Sequence, residues 1–352
     1  MKGLVLIVPP RDGPVTPRWS SCPGPLVPVA NRPLLAHAVD MLIAAGAGEV
    51  AVVCPPVLLS DLRSAGAGRT AVDVEWIASD ATDDAGRAIL GAEAFLGGDR
   101  FLVHTTRGLW LRHRRRLRQA LRSSEDAALL YVAGAAVTEP ARVLQPVPAP
   151  VGHGPSAASP DAAAAAAEFA VACFGPEIVE ALHGVAAPEA SLGSALEALA
   201  RQGAGVRPCP AEGWYGFDGS AEELLTLNRL ALDDLPDARL PSSLADSRVT
   251  GRLDVHATAR VSRSVIRGPV VIGARARIAD AYLGPHTVVG DDGVVENAEV
   301  EATVLVAGAR VQNTGVRIES SVIGEGASVT RSFELPRALR LALGPDATVE
   351  LA

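Results

Sequence analysis

Residues 266–290 read Ile266-Arg-Gly-Pro-Val-Val-Ile272-Gly-Ala-Arg-Ala-Arg-Ile278-Ala-Asp-Ala-Tyr-Leu283-Gly-Pro-His-Thr-Val-Val289-Gly290. Large apolar residues recur every five or six positions. The same spacing runs outward to Val255 and Val261, and onward to Val295, Val300, Val306, Ile323 and Val329. A helix repeats every 3.6 residues and a flat strand every 2, so neither accounts for it. Hexapeptide repeats build a triangular parallel β-helix, one side per repeat. The small residues Gly273, Gly284, Gly290 and Gly324 fit its corners. The competing reading is a run of irregular hairpins at ordinary strand and turn spacing. It is outweighed by the number of matching positions.

Upstream, the pattern changes to alternating strands and helices. Residues 4–8 form an apolar strand. Residues 33–45 carry helical spacing (Leu34, Leu35, Ala38, Met41, Leu42) and end in Gly46-Ala47-Gly48. Strands follow at 50–53 and 72–77, then a helix over 84–95 and a short buried strand at 101–104. Strands separated by helices predict a parallel, doubly wound sheet. Residues 146–167 are dominated by Pro, Ala, Gly and Ser and read as a linker. A strand at 169–174 and helices at 176–183, 191–202 and 221–232 complete this part. The division expected is 1–243 for an α/β domain, 244–332 for the β-helix and 333–352 for a tail.

A length of 352 residues suits two domains, and 48% apolar residues supply a sizeable core. The longest apolar candidate, 50–59, is interrupted by Pro55 and Pro56, far short of a membrane span. The N-terminus lacks a cleavage site and reads as a first strand, which makes the cytoplasm the expected location. Cys22, Cys54, Cys173 and Cys209 have no metal-ligand spacing and read as plain thiols. A net charge of −8 argues against nucleic acid as a partner. Lys2 is the only lysine, so no later position supplies one.

The order of parts closely resembles one family. Residues 4–8, then Pro23-Gly24-Pro25-Leu26-Val27-Pro28-Val29-Ala30-Asn31-Arg32-Pro33-Leu34-Leu35, then 44–50, are similar to the start of sugar-1-phosphate nucleotidyltransferases. The β-helix and the ending Leu335-Pro336-Arg337-Ala338-Leu339-Arg340-Leu341 with Leu343-Gly344 resemble the long form of glucose-1-phosphate thymidylyltransferase, met in actinobacterial antibiotic gene clusters. The resemblance implies a Rossmann-like nucleotidyltransferase domain followed by a left-handed parallel β-helix. It also implies a reaction in which a sugar phosphate attacks the α-phosphorus of a nucleoside triphosphate and pyrophosphate leaves. Such a site needs a glycine loop for the phosphates, positive side chains for the developing charge and two aspartates for magnesium.

The chain departs from each requirement. The family loop resembles G-G-x-G-T-R-L-R-P followed by P-K-P. Aligned without a gap, the leading glycines become Pro9 and Pro10, the third becomes Asp12, and the first arginine becomes Pro14. Prolines remove backbone donors. Gly13 keeps a glycine's freedom, although not at a family glycine position. The lysine of P-K-P is Gly24. The first metal aspartate, after the strand at 101–104, becomes Arg107. The second matches Phe217, with Asp218 one residue late and so on the opposite face of an extended segment. The base-contacting glutamine becomes Ser79, and the glycine turn for the base becomes Thr82-Asp83-Asp84-Ala85. The sugar-side E-K-P motif is absent, and the glutamate before the following helix becomes Ser191.

The leading expectation is therefore a non-catalytic relative that regulates or positions biosynthetic enzymes, as a homo- or hetero-oligomer. The remnants expected to meet phosphate are Arg11, Gly13, Arg18 and Arg107. Asp218 is a weak remnant of the metal site, and magnesium, the family's cofactor, is not expected to bind. An enzyme reading has Arg107, Arg11 and Arg18 replace metal and lysine as bidentate phosphate clamps. A third reading is a sensor for a nucleotide or sugar phosphate. The basic run Arg112-His113-Arg114-Arg115-Arg116-Leu117-Arg118 fits a solvated helix face with Leu117 and Leu121 inward, better than a polyanion or membrane site.

Overall fold

In a computed structural model, residues 1–7, 22–66, 73–80, 84–112, 114–132, 169–185, 191–235 and 244–331 are described. The linker at 146–167 and the tail at 333–352 lie outside them. The first strand, β1 (Lys2–Leu6), is apolar on both faces, with Leu4, Val5 and Leu6 fully buried. That is the signature of a strand covered by helices on both sides. It pairs in parallel with β4 (Glu49–Cys54) and with β6 (Phe101–Thr105). Between them come the small hairpin β2 (Pro28–Val29) and β3 (Arg32–Pro33) and helix α1 (Leu34–Ala45). Gly46 ends α1 at φ 110° and returns its N–H to Ile43, the left-handed stop that glycine allows.

The sheet continues outward through β5 (Val74–Ala78) on one side. On the other side come β9 (Phe169–Phe174), β8 (Ala128–Val132) and β10 (Val206–Pro210), giving the order β10-β8-β9-β6-β1-β4-β5. Strand β9 runs antiparallel to both β6 and β8, so the sheet is mixed where alternation alone predicted a parallel one. One face is covered by α3 (Ala85–Gly91), α4 (Glu93–Leu96), α6 (Glu177–Gly184) and α7 (Leu192–Arg201). The other is covered by α1, α2 (Pro56–Gly66) and α5 (Arg114–Ser123). On α5, Leu117 and Leu121 are buried, as its spacing predicts. The helix expected over 84–95 is split at Ala92. The Pro55-Pro56 pair that ends β4 places Pro56 at the first position of α2, where its missing N–H costs nothing.

From β12 (Leu244–Ala245) to β27 (Ser328–Thr330), short strands stack in parallel into three sheets, a left-handed β-helix. Successive coils are 17 residues apart, as in Arg260↔Arg277↔Val294. Val261, Ile266, Ile272, Ile278, Leu283, Val289, Val295 and Val300 fill the interior as expected. One coil is short: Val288 pairs with Val304, 16 residues on, and Val304 with Val322, 18 on. The interior position there is Leu305, while Val306 faces outward, which corrects the expected register. Corners require left-handed backbone. One column holds Asp246, Arg263, Asp280, Asn297 and Asn313 at φ 47–53°. Asp and Asn tolerate that region better than other side chains.

The β-helix rests on the α/β part through one sheet face. Val271, Val288, Val304 and Val306 pack against Val27, Val29, Leu109, Leu111 and helix α8 (Ala221–Asp233). Asn31 donates to Asp291 at 3.0 Å and Ala30 N–H to Asn228 at 2.7 Å, which anchors the hairpin to both parts. No described helix is long and apolar enough to cross a membrane.

Candidate functional site

Ligands of open α/β sheets bind beyond the carboxyl ends of the parallel strands. In this chain, β6 leads there through Thr105, Thr106 and Arg107. The chain then turns back as β7 (Gly108–Trp110), antiparallel to β11 (Trp214–Gly216). The two segments are very close: a Cβ on Gly108 would fall 2.2 Å from the Tyr215 carbonyl oxygen. Pairing continues one step past the strands, where the Phe217 N–H donates to the Arg107 carbonyl at 2.8 Å. The two positions matched to the metal aspartates are thus neighbours, and they hold a guanidinium and a phenyl ring. Phe217 is half-buried against the valines and leucines under the β-helix.

Among the described residues, the carboxylates that follow Phe217 are committed to a helix cap. Asp218 accepts the Ser220 N–H at 2.7 Å, and its own N–H donates to the Glu223 carboxylate. Ser220 Oγ accepts the Glu223 N–H at 3.2 Å. Together they cap α8, a serine–glutamate capping box extended by one aspartate. The Glu223 side-chain hydrogen bond holds Asp218 below the usual carboxylate range. Burial, then its bond to Asp218, pushes Glu223 up to about 7. Of the two carboxylates, Glu223 is therefore the one that stays protonated toward neutral pH. Magnesium takes oxygen ligands, chiefly carboxylates and phosphates. Arg107 and Phe217 supply none, and Asp218 is turned into the helix cap, so the residues present do not fit the ion.

Other substituted positions have also become structural. Asp84 Oδ1 accepts the N–H groups of Gly86 and Arg87 at 2.7 and 3.1 Å, which caps α3. A carboxylate of the chain itself therefore sits on the helix N-terminus where the resemblance expects a glycine turn for the base. Ser191 caps α7 by accepting from Ser194 N–H. Gly24 opens a single 3-10 turn with no side chain to offer. Arg11, Gly13 and Arg18 lie outside the described residues, as do Pro9, Pro10, Asp12 and Pro14.

His104 lies on β6, three residues before Arg107. It is 1% exposed, and neither ring nitrogen makes a well-formed hydrogen bond among the described residues. Its ring lies 5.4 Å from that of Trp214, which in turn meets Trp110 edge-on. Burial pushes its pKa down to about 4, only weakly opposed by the Thr105 backbone. The imidazole is therefore neutral at physiological pH and belongs to the packing beneath the site. The sequence signals for the caps were present as Asp84-Ala85-Gly86, Ser191 three residues before Ser194, and Ser220 three before Glu223.

No family model matches the chain. Compared with known proteins, it is 30% identical over 346 residues to a glucose-1-phosphate thymidylyltransferase of Streptomyces antibioticus, covering 93% of both chains. It is 29% identical over 346 residues, with the same coverage, to the glucose-1-phosphate thymidylyltransferase of Streptomyces griseus. It is 27% identical to the low-salt glycan biosynthesis nucleotidyltransferase Agl11 of Haloferax volcanii, over the whole of both chains.

Proposed function

We infer that this chain, which belongs to the sugar-1-phosphate nucleotidyltransferase family, retains the family scaffold without metal-dependent transfer and acts as a regulatory or scaffolding partner in nucleotide-sugar biosynthesis. The observation that carries this reading is the pair of side chains, a guanidinium and a phenyl ring, set side by side where the Phe217 N–H bonds the Arg107 carbonyl. That bond joins the two positions that the resemblance assigns to metal carboxylates, and neither residue binds a cation. Exchanging aspartate for arginine changes the local charge by two units. At ~4 Å and an effective dielectric of ~20, each unit is worth about 4 kcal/mol. Losing even that much transition-state stabilisation costs about three orders of magnitude in rate.

The purified chain, given dTTP, glucose-1-phosphate and magnesium, should form no dTDP-glucose above background by phosphorus NMR. Turnover of about 1 per second or faster would sink the reading. A second reading is favoured by the position of Arg107 at the end of β6: an arginine-clamped transfer that needs no metal, with Arg11 and Arg18 contributing. Its signature is product formation that survives EDTA and disappears in Arg107→Ala. The sensor reading is separated by thermal shift, since a bound nucleotide or sugar phosphate raises stability by RT ln(1 + [L]/Kd). Stabilisation without turnover would favour the sensor.

A further inference from the structure

We infer that the outer face of one β-helix sheet docks a second copy of this chain, with the two β-helices antiparallel. The sheet consists of β13 (Arg248–Thr250), β16 (Val265–Arg267), β19 (Tyr282–Leu283), β22 (Glu299–Glu301) and β25 (Arg317–Glu319). The other two faces differ. One is covered by the α/β part through Val271, Val288 and Val304. The other turns Arg260, Arg277 and Arg310 outward along one row, and two such rows would repel.

On the proposed face, side chains point outward in two rows fixed by the strand register. One row runs Arg248, Val265, Tyr282, Glu299, Arg317; the other places Thr250 beside Arg267 and Glu301 beside Glu319. Three arginines balance three glutamates, but they are not evenly spread. The first two coils carry Arg248 and Arg267. The last two carry Glu299, Glu301 and Glu319 against Arg317 alone. One end is positive by two charges and the other negative by two. Turning a second copy over about an axis along the strands at Tyr282 sets each positive end on a negative one.

Two further observations point to the same face. Val265 and Val316, two of the few exposed large apolar residues among those described, are 40% and 68% exposed, on its second strand and at its rim. A groove of about 680 Å³ lined by Arg263, Asp280, Tyr282, Asn297, Glu299 and Arg317 opens beside Val316. Arg248, Arg267 and Glu319 make no ion pair among the described residues, although Arg267 lies over the Tyr282 ring at 5.9 Å. A face five strands tall spans ~24 Å at ~4.8 Å per strand. That is at the small end of specific interfaces, so the association is electrostatic in character and sensitive to salt.

This inference does not rest on the absence of catalysis, and its test reads mass rather than turnover. In analytical ultracentrifugation at tens of micromolar, the full chain should sediment as two copies in low salt and shift toward one in high salt. The double variant Arg248→Glu with Arg267→Glu makes both ends negative and should weaken association at least tenfold. Glu301→Arg with Glu319→Arg makes both ends positive and should do the same. An equimolar mixture of the two variants should regain the two-copy mass. Circular dichroism checks that each variant is folded. The first pair alters exposed residues with no ion-pair partner among those described, so it remains informative if the second fails to fold. A wild-type chain that stays single in low salt, one that forms three copies, or an assembly whose mass Arg248→Glu/Arg267→Glu leaves unchanged overturns the inference.

Discussion

In the β-helix, Ile266, Leu283 and Val300 stand on successive coils of one sheet, all fully buried, and each repeats what its neighbours do. At the carboxyl edge of the seven-stranded sheet, Arg107, Phe217 and Asp84 hold positions that no other residue duplicates. The first region is set by a pattern, so any apolar residue of suitable size serves. The second is set by single side chains, and its chemistry can change while the strands beneath it stay where they are. The backbone bond between Phe217 and Arg107 survives with either residue type, because it uses no side chain. Identity of 30% spread over the chain is thus compatible with a preserved fold and a different site.

The contrast breaks first in the β-helix. Leu283→Ala leaves a cavity between coils and should cost about 2–5 kcal/mol, measured by urea unfolding followed by circular dichroism. Leu283→Met, which keeps the volume, should cost less than ~1.5 kcal/mol. Equal losses in the two variants would mean that identity matters there as much as pattern.

His104 sharpens the contrast from the other side, because it is a titratable group buried in the packing. Above pH 6.5 the imidazole is neutral in folded and unfolded chains alike. As pH falls below 6.5 the unfolded chain takes up a proton, while the folded chain resists until about 4. Stability is therefore lost between those values, by about 3 kcal/mol at 1.4 kcal/mol per unit. His104→Leu should remove that loss and leave a shallower acid slope. Parallel stability curves for wild type and variant would refute the assignment.

A smaller effect is expected at the α8 cap. Folded Glu223 holds a proton up to about pH 7, whereas an unfolded glutamate releases it near 4.5. Its contribution is full below 4.5 and is lost as pH rises through about 7. Asp218 runs the other way, losing its contribution on acidification. Glu223→Gln should flatten the change between pH 5 and 7, by less than ~1 kcal/mol because solvent screens the pair. An unaltered slope would place the proton elsewhere.

The β-helix was legible because its repeat is redundant. Its one misplaced residue, Val306, follows from a coil one residue short, which no periodicity announces. Strands β8 and β10 and helix α2 were not anticipated, because their signals are local and the sheet supplies their stability. The inverted β9 is a tertiary choice that alternation cannot express. At the site, the substitutions at Arg107 and Phe217 were legible through the resemblance, and the structure makes them neighbours. What the sequence left unread was the use of Asp84, Ser191, Asp218 and Glu223. A carboxylate's role depends on which N–H it faces, and that is decided by the turn before the helix.

Manganese, a magnesium surrogate with an EPR signal when free, reads the metal site most directly. Titrated into the wild-type chain without nucleotide, the free-ion signal should rise in proportion to the metal added. Arg107→Asp with Phe217→Asp returns two carboxylates to facing positions and should deplete the free signal up to one equivalent. Stoichiometric depletion by the wild-type chain, abolished by Asp218→Asn, would contradict the loss of the metal site.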